Sequence, residues 1–247
     1  MIDIHCHLLP GVDDGPKEME QSLAMIAQGV GDGISAVVAT PHILVPLNAN
    51  TRLSEICEQR FEELKERVDE QGANIRLFLG SEILFQFDLV SICRQRLGTL
   101  AGNGKYPLIE FPLNSLPHRF EEELFRLQLS GFVPIIAHPE RNMTLSRDVE
   151  RLFELSRRGI LFQVNARSLT GGHGRSIKRI TERLVAEGAV QFVASDAHDP
   201  VSRPLILSHA RRVVEKLVGE ETAEELFYLN PQRALRGESV NSFFLKS

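Results

Sequence analysis

Short hydrophobic segments that alternate with amphipathic segments are the feature of this sequence that most restricts its fold. Seven hydrophobic segments are rich in branched and aromatic residues and are predicted to be strands: residues 1–5, 36–40, 75–80, 106–111, 132–137, 160–165 and 190–195. Apolar residues at helical spacing fill most of the gaps between them: residues 17–31, 53–71, 120–129, 148–158, 176–187 and 206–218. Strands that alternate with helices in this way form parallel βαβ units. The sequence therefore predicts an α/β protein with a parallel sheet.

The chain is expected to form a single domain over residues 1–247. No linker, low-complexity segment or block of charge divides it, and a chain of this length can bury a large core in one domain. Two architectures accommodate seven parallel strands, namely a closed barrel and an open doubly wound sheet. The first strand is not followed by the glycine-rich fingerprint of dinucleotide-binding proteins, which weakens that version of the open sheet.

The N-terminal segment MIDIHCHLLPGVDDGP carries an unusual density of imidazole and carboxylate groups, at Asp3, His5, His7, Asp13 and Asp14. In the period of a strand, His5 and His7 lie on one face and project together where the strand ends. Neutral imidazole nitrogens are good ligands for divalent metals. From these residues alone, a metal site and a polar N-terminus with an unrelated pair of histidines carry equal weight.

Histidine and acidic residues also follow most of the other predicted strands. The nine strand-end residues are His5, His7, Asp14, His42, Glu82, Glu110, His138, Asp196 and His198. The sixth strand ends in Gln163 and Asn165 instead. The carboxyl ends of parallel strands share one rim, where active sites form, so these side chains are predicted to converge. A single histidine at a strand end is more often structural, but placement on nearly every strand favours a shared site.

Histidine and carboxylate ligands without cysteine suit hard to borderline ions such as Mn, Fe, Zn or Mg. One ion takes about four to six ligands, so nine ligands indicate two or three ions that share bridging carboxylates. Such clusters activate a water as hydroxide and stabilise both ends of an in-line displacement at phosphorus. Arg141 and Arg203 lie close to ligand-rich segments and can bind phosphate oxygens bidentately. The residues therefore indicate hydrolysis of a phosphate ester.

Composition and cysteine spacing argue against several other classes of protein. A net charge of −5 and the absence of Trp argue against nucleic acid as the main partner. The start lacks signal-peptide character, and no apolar run reaches the roughly 18 residues that cross a bilayer, so no membrane insertion is expected. Three widely spaced cysteines without a CxxC pair indicate neither disulfides nor a cysteine zinc site, and the expected compartment is the cytoplasm. None of them is followed six positions later by the Arg that a cysteine-nucleophile phosphatase loop needs.

Seven segments together resemble the PHP (polymerase and histidinol phosphatase) superfamily. They are MIDIHCHLLPGVDDGP, ATPH, GSEI, LIEFP, VPIIAHPER, FVASDAHD with the Arg203 that follows it, and LNPQRAL. More closely, the chain resembles the bacterial manganese-dependent protein-tyrosine phosphatases that are encoded with capsule and exopolysaccharide tyrosine kinases. The resemblance implies a distorted (β/α)7 barrel that holds three divalent metals, preferably Mn with Fe or Zn as alternatives, at the carboxyl ends of the strands. It also implies a phosphotyrosine protein as substrate, namely a bacterial tyrosine kinase that controls capsule or exopolysaccharide synthesis.

The resemblance also implies a role for each site residue. The first metal is held by His5, His7 and Asp196, the second by Glu82 as a bridge with Glu110 and His138, and the third by Asp14, His42 and His198. Arg141 and Arg203 match the phosphate-binding arginines, and with Asp196 and His198 they form the expected catalytic set. Superfamily members that act on small phosphates or nucleic acids often carry His where this chain has Asp14 and Glu110, so this pair favours the tyrosine-phosphatase branch.

Several alternatives remain open at this point. Another PHP phosphoesterase, such as a histidinol-phosphate phosphatase, would share the metals, and a non-catalytic metal-binding regulator is a further alternative. Residues 43–53 lack the polar or aromatic stretch expected at a phosphopeptide rim, so His118 and Arg119, or the loop with His173 and Arg175, are candidates to bind the peptide. Two further acidic residues near the ligands either orient them or cap helices, and capping is favoured: Asp13 and Glu140. The oligomeric state is not determined by the sequence, and a homo-oligomer is one alternative.

Overall fold

The structure is a computed structural model that describes residues 1–44 and 51–241. Its strands are Ile2–Cys6 (β1), Ala36–Ala39 (β2), His42–Ile43 (β3), Arg76–Leu79 (β4), Glu82–Leu84 (β5), Leu108–Glu110 (β6), Ile135–Ala137 (β7), Leu161–Asn165 (β8) and Phe192–Ala194 (β9). Its α-helices are Met19–Gly31 (α1), Thr51–Glu70 (α2), Leu89–Cys93 (α3), Phe120–Leu129 (α4), Val149–Arg157 (α5), Ala166–Thr170 (α6), Arg175–Ala186 (α7), Ser208–Val218 (α8), Glu220–Glu224 (α9) and Asn230–Leu235 (α10). A π-helical turn, Glu225–Leu229, joins α9 to α10.

The strands form two parallel sheets that together make a closed ring. One sheet has the order β1-β2-β4 and the other has the order β3-β5-β6-β7-β8-β9. The two are joined on one side because β3 continues β2 and β5 continues β4 after short interruptions. On the other side, β1 meets the segment that follows β9 through a parallel bridge between Cys6 and Ala197 and a hydrogen bond of 2.8 Å from His7 N to Ala197 O. The predicted distorted (β/α)7 barrel is confirmed.

Two predicted strands are each followed by a second, short strand that the sequence analysis did not predict. Residues 36–40 give β2, and β3 begins only after Pro41, which has no backbone N–H for the ladder. Residues 75–80 give β4, which ends before Gly80, where a Cβ would lie 3.2 Å from the Cα of Leu100. These breaks change the direction of the backbone just before His42 and Glu82, which begin β3 and β5.

Alternate residues of the strands fill the inside of the barrel and the layer outside it. Ile2 and Ile4 of β1 belong to an inner cluster that also contains side chains of β2, β6, β7, β8 and β9. On the other strands the alternate residues, such as Val37 and Ala39 of β2, face outward and pack with the helices in a second, larger cluster. The register of β1 shifts between Asp3 and Cys6, so Cys6 joins the outer cluster. This irregularity lets the strand present Ile2 and Ile4 to the core and, further along, His5 and His7 to the rim.

The longer helices match the predicted helical segments to within about two residues, the usual uncertainty of helix ends. Helices α3 and α6 were not predicted, because five residues show too little of a 3.6-residue period. The helical segment over residues 220–235 was not predicted either. Within the described residues, none of the helices combines the length and the hydropathy that a bilayer span requires.

Candidate metal centre

Six barrel strands deliver the predicted ligands to one rim. His5 and His7 lie at the end of β1, His42 on β3, Glu82 on β5 and Glu110 on β6. His138 follows β7, while Asp196 and His198 follow β9. His138, the first residue after β7, and Asp196, the second residue after β9, have left-handed backbone conformations, with φ of 31° and 54°. This conformation costs a non-glycine residue conformational free energy and is often found at functional sites. Here it turns the backbone sharply at the rim after β7 and after β9.

All nine predicted ligands fall into four overlapping groups in which the donor atoms lie within 4.8 Å of one another. The groups are His5, His7 and Asp196; His5, Glu82 and His138; His42, Glu82 and Glu110; and His7, Asp14, His42 and His198. Because the groups share residues, they form one continuous cluster and not four separate sites. The first group is the set expected for the first metal, and the fourth contains the set expected for the third. The set expected for the second metal is divided, because Glu82 groups with His138 in one case and with Glu110 in another.

Glu82 lies at the centre of this cluster and is 1% exposed. Its Oε2 lies 3.2 Å from His5 Nε2, 3.3 Å from His7 Nε2 and 3.0 Å from His42 Nδ1, and its Oε1 lies 3.0 Å from His138 Nε2. Glu82 Oε2 and His42 Nδ1 are both buried, and although they lie 3.0 Å apart, neither makes a hydrogen bond with acceptable angles. Unpartnered buried oxygen and nitrogen atoms are costly unless a cation satisfies them. The arrangement around Glu82 therefore fits divalent metals.

Hydrogen bonds from the far side of three imidazoles fix which nitrogen faces the cluster. His5 Nδ1 donates to Gln163 Oε1 at 2.8 Å, His7 Nδ1 donates to Asp13 Oδ2 at 2.7 Å, and His198 Nδ1 donates to the carbonyl of Asp196 at 3.0 Å. In the neutral tautomer that these bonds select, Nε2 carries the lone pair. Such partners are typical of metal-ligating histidines, because they orient the ring and raise its basicity.

The carboxylates of the cluster change the proton affinity of the two N-terminal histidines. Burial lowers the pKa of both imidazoles, but Glu82 and Asp196 raise the pKa of His5 to about 9. Asp13 and Glu82 raise the pKa of His7 to about 10. In the metal-free protein, protons on these rings therefore compensate the negative charge that metal ions would otherwise compensate. The cluster is built for cations.

Two guanidinium groups border the cluster on the side of Asp196. Arg141 Nη1 and Arg203 Nη2 lie 2.9 and 2.8 Å from Asp196 Oδ2, which also accepts a hydrogen bond of 2.7 Å from Asn165 Nδ2. The other oxygen, Oδ1, faces His5 at 3.6 Å. Against the effect of burial, His5 and the other nearby cations hold the pKa of Asp196 well below its usual range. Arg141 and Arg203 are 22% and 30% exposed, so both can reach a substrate that enters from solvent.

The profile of the family described as "Capsular polysaccharide synthesis, CpsB/CapC" matches residues 1–236. The chain belongs to the CpsB/CapC family. It is 34% identical over 242 residues to the tyrosine-protein phosphatase YwqE of Bacillus subtilis, covering 97% of this chain and 93% of YwqE. It is 28% identical over 245 residues to the tyrosine-protein phosphatase CpsB of Streptococcus agalactiae, covering 97% of this chain and all of CpsB.

A solved structure from a study of the metal-dependent tyrosine phosphatases YwqE of Bacillus subtilis and CpsB of Streptococcus pneumoniae has the same fold as this CpsB/CapC chain. It superposes with a TM-score of 0.89 at 32% identity and covers 98% of this chain and 97% of that one. A zinc-bound histidinol phosphate phosphatase from Lactococcus lactis superposes with a TM-score of 0.52 at 13% identity, which shows a shared fold only.

Two carboxylates of this CpsB/CapC chain that were interpreted as helix caps differ in what they contact. The capping interpretation is wrong for Asp13: α1 begins at Met19 with Glu18 as its N-cap, and Asp13 bonds His7 and accepts a hydrogen bond of 3.2 Å from His42 N. Glu140 accepts from the backbone N–H of Asn165 at 3.0 Å and from Ser168 Oγ at 2.6 Å, at the start of α6. Asp13 therefore orients two ligands, while Glu140 holds the backbone after β8.

The rim residues proposed from the sequence lie in different environments. His118 and Arg119 are exposed just before α4, where Arg119 pairs with Glu122 at 2.5 Å. The four donor groups found in the described residues do not include them. Residues 45–50, which belong to the segment 43–53 considered as a phosphopeptide rim, lie outside the described residues. His173 is half-buried and bonds Ser168, close to Asp196 and the arginines.

Gln163 and Asn165 are functional neighbours that the sequence interpretation left out of the site. Gln163 orients His5 and donates through Nε2 to Asn165 Oδ1 at 3.0 Å, and Asn165 in turn bonds Asp196. Both end the sixth predicted strand at the same rim as the ligands. Their position at a strand end was the signal that could have placed them in the site.

Proposed function

We propose that this protein is a metal-dependent protein-tyrosine phosphatase, with residues 1–247 acting as one domain. The observation that carries the proposal is the convergence of eight nitrogen and oxygen donor residues with Glu82 in one cluster, bordered by two guanidinium groups. Family membership over residues 1–236 and the activity of YwqE and CpsB support phosphotyrosine as the substrate class.

We propose three divalent ions, preferably Mn, with Fe or Zn as alternatives. The first would be held by His5, His7 and Asp196, the second by Glu82, Glu110 and His138, and the third by Asp14, His42 and His198. The grouping of the donors supports this number, because three ions use all nine residues and let Glu82 contact more than one ion. Bound ions of this kind supply a nucleophile from water at neutral pH and neutralise charge on the phosphoryl oxygens.

The residues of the chain divide the remaining work. Arg141 and Arg203 converge on one oxygen of Asp196 and leave further N–H groups for the substrate phosphate, which they would hold in line. Asp196 would join the first metal to this phosphate site, since Oδ1 faces the histidines and Oδ2 faces the arginines. His198 Nε2 lies 3.2 Å from Asp14 Oδ1 at the more exposed edge, where the third ion would complete the site.

A phenolate leaves more readily than an alkoxide, because the pKa of tyrosine is near 10. A site that needs no strong acid for its leaving group therefore favours tyrosine over serine or threonine. We propose a tyrosine kinase of a capsule or exopolysaccharide locus as the protein substrate, which the family description supports. The cytoplasm is the proposed compartment, since all three cysteines are free thiols.

The test is an assay of purified protein with its metal content measured. We expect three divalent ions per chain, hydrolysis of a phosphotyrosine peptide, loss of activity on chelation, and recovery on addition of Mn. Faster turnover of histidinol phosphate than of the peptide would instead favour a small-molecule phosphatase. Full activity in protein shown to be free of metal would contradict the proposal.

A further inference from the structure

A cavity of about 280 Å³ opens beside the metal centre, between the start of α6 and the start of α8. Two of its lining residues, Asp196 and Arg203, already belong to the phosphate side of the site. A group attached to a phosphate held by Arg203 therefore has this cavity directly next to it. The volume is at the low end of ligand pockets, which span about 300–1,000 Å³, so the cavity suits one side chain and not a folded peptide.

The walls of the cavity differ in character from the metal centre. Ala166 at the start of α6, Pro204 and Ile206 before α8, and Ala210 on α8 contribute apolar surface. The adjoining metal centre consists of carboxylates and imidazoles, bordered by two guanidinium groups. The remaining lining is polar and includes Arg167, His173 and His209. A recess with one apolar wall next to a phosphate site matches a ligand that is charged at one end and apolar at the other.

His173 forms a further wall and is held by a chain of hydrogen bonds. Ser168 Oγ donates to Glu140 Oε1 at 2.6 Å and lies 3.0 Å from His173 Nδ1, so the ring donates its Nδ1 proton to Ser168. Burial and the nearby guanidinium groups of Arg141 and Arg167 lower the pKa of His173 to about 4. The imidazole is therefore a neutral, fixed, flat surface that does not compete with the arginines for phosphate.

The two segments that border the cavity are tied together across its mouth. Arg167 of α6 donates from Nη1 to the carbonyl of Ser202, which precedes Arg203. The stem of Arg167 crosses Gly172 so closely that a Cβ there would lie 2.3 Å from its Cγ. Glycine at this position therefore lets Arg167 bridge the segments, which keeps the recess formed before a ligand arrives.

We propose that this cavity receives the aromatic ring of the substrate phosphotyrosine and so selects aryl phosphates by binding. The inference rests on the proposed function, since it assumes that Arg203 holds the phosphate. The ring is the first group that follows the phosphate in the substrate, and the cavity offers apolar surface from Pro204 and Ile206 close to Arg203. Ring binding adds to the intrinsic advantage of a phenolate leaving group and can be separated from it experimentally.

Phosphonates separate ring binding from the leaving-group effect, because they carry the charge of the substrate but cannot be hydrolysed. Affinities of phenylphosphonate and methylphosphonate for the manganese-loaded protein are measured by calorimetry. We expect the wild type to bind phenylphosphonate about tenfold more tightly than methylphosphonate, because only the former buries a ring. Ile206→Ala should reduce this ratio to about threefold or less, because the substitution removes part of the wall. Ala210→Leu should reduce the ratio to about one, because the larger side chain fills the recess.

The matched control is Leu217→Ala. Leu217 lies on α8, as Ala210 does, but outside the cavity, and it is 40% exposed. The control should keep the wild-type ratio. Ile206 is only half-buried, so the test remains available if Ala210→Leu fails to fold. Unchanged ratios in folded variants, or equal losses for both phosphonates, would overturn the proposal. Failure of the wild type to hydrolyse phosphotyrosine would contradict the proposed function instead, whichever phosphonate binds more tightly.

Discussion

Asp13 offers the sharpest test of how the metal centre is organised, because it is not itself a member of the donor groups. Its Oδ2 lies 2.7 Å from His7 Nδ1 and 3.2 Å from His42 N, and its Oδ1 accepts from Gly15 N at 2.9 Å. Asp13→Asn has nearly the same shape but replaces one oxygen with an amide donor. An amide that keeps an oxygen toward Gly15 turns its NH₂ toward His7 Nδ1, where two donors would then face each other.

His7 relieves that conflict by moving its proton to Nε2, which removes the lone pair that faces the metal. The alternative amide orientation keeps the bond to His7 but loses the one from Gly15 and the negative charge. Partners of this kind typically contribute a factor of about 10–100 in metal affinity, or about 1.4–2.7 kcal/mol. We therefore expect Asp13→Asn to bind Mn about 10–100 times more weakly, while the fold persists because both orientations keep part of the loop.

The measurement is a competition titration of Mn against a chelator of known affinity, with circular dichroism recorded on the same samples. Asp69→Asn is the matched control, since Asp69 is exposed near the end of α2 and the change of charge is the same. The control should bind Mn as the wild type does. Wild-type affinity in folded Asp13→Asn would refute the reasoning, because the His7 bond would then contribute nothing to the metal site.

Three further predictions follow from the same geometry. Arg141→Ala or Arg203→Ala should lower kcat/KM by a factor that corresponds to about 2–4 kcal/mol of lost transition-state stabilisation, with metal content near that of the wild type. Loss of metal with activity retained per bound site would mean that the phosphate-binding role of that arginine is wrong. Metal affinity should rise as the pH rises toward about 9 and 10, because the ions displace protons from His5 and His7, whose pKa values are raised to those levels. Calorimetry in buffers of different ionisation enthalpy counts the protons released on metal binding. The absence of proton release at neutral pH would contradict this prediction. Replacing all three cysteines with Ser should leave turnover intact in a folded protein, since burial raises the pKa of each thiol, and inactivity of a folded, metal-loaded triple variant would return attention to a thiolate.

The order of strands and helices and the membership of the cluster were determined by the sequence. Local hydrophobic periodicity reports which segments bury one face, so the seven predicted strands and six predicted helices correspond to elements of the structure. The rule that parallel strands share one carboxyl rim then sufficed to bring residues as distant as His5 and His198 together. Neither step requires knowledge of side-chain conformation.

The orientation of each side chain in the site was determined only by the tertiary structure. The breaks at Pro41 and Gly80 depend on the neighbouring strands, because an interruption is tolerated only where backbone groups find other partners, as when Pro41 O accepts from Glu82 N at 3.1 Å. The role of Asp13 could not be derived locally either, since helix caps and imidazole partners use the same residue types in sequence. Only the position of the ring of His7 in three dimensions distinguishes the two. Pattern in sequence thus specified which residues meet, while packing between distant segments specified which atom of each one faces the metal.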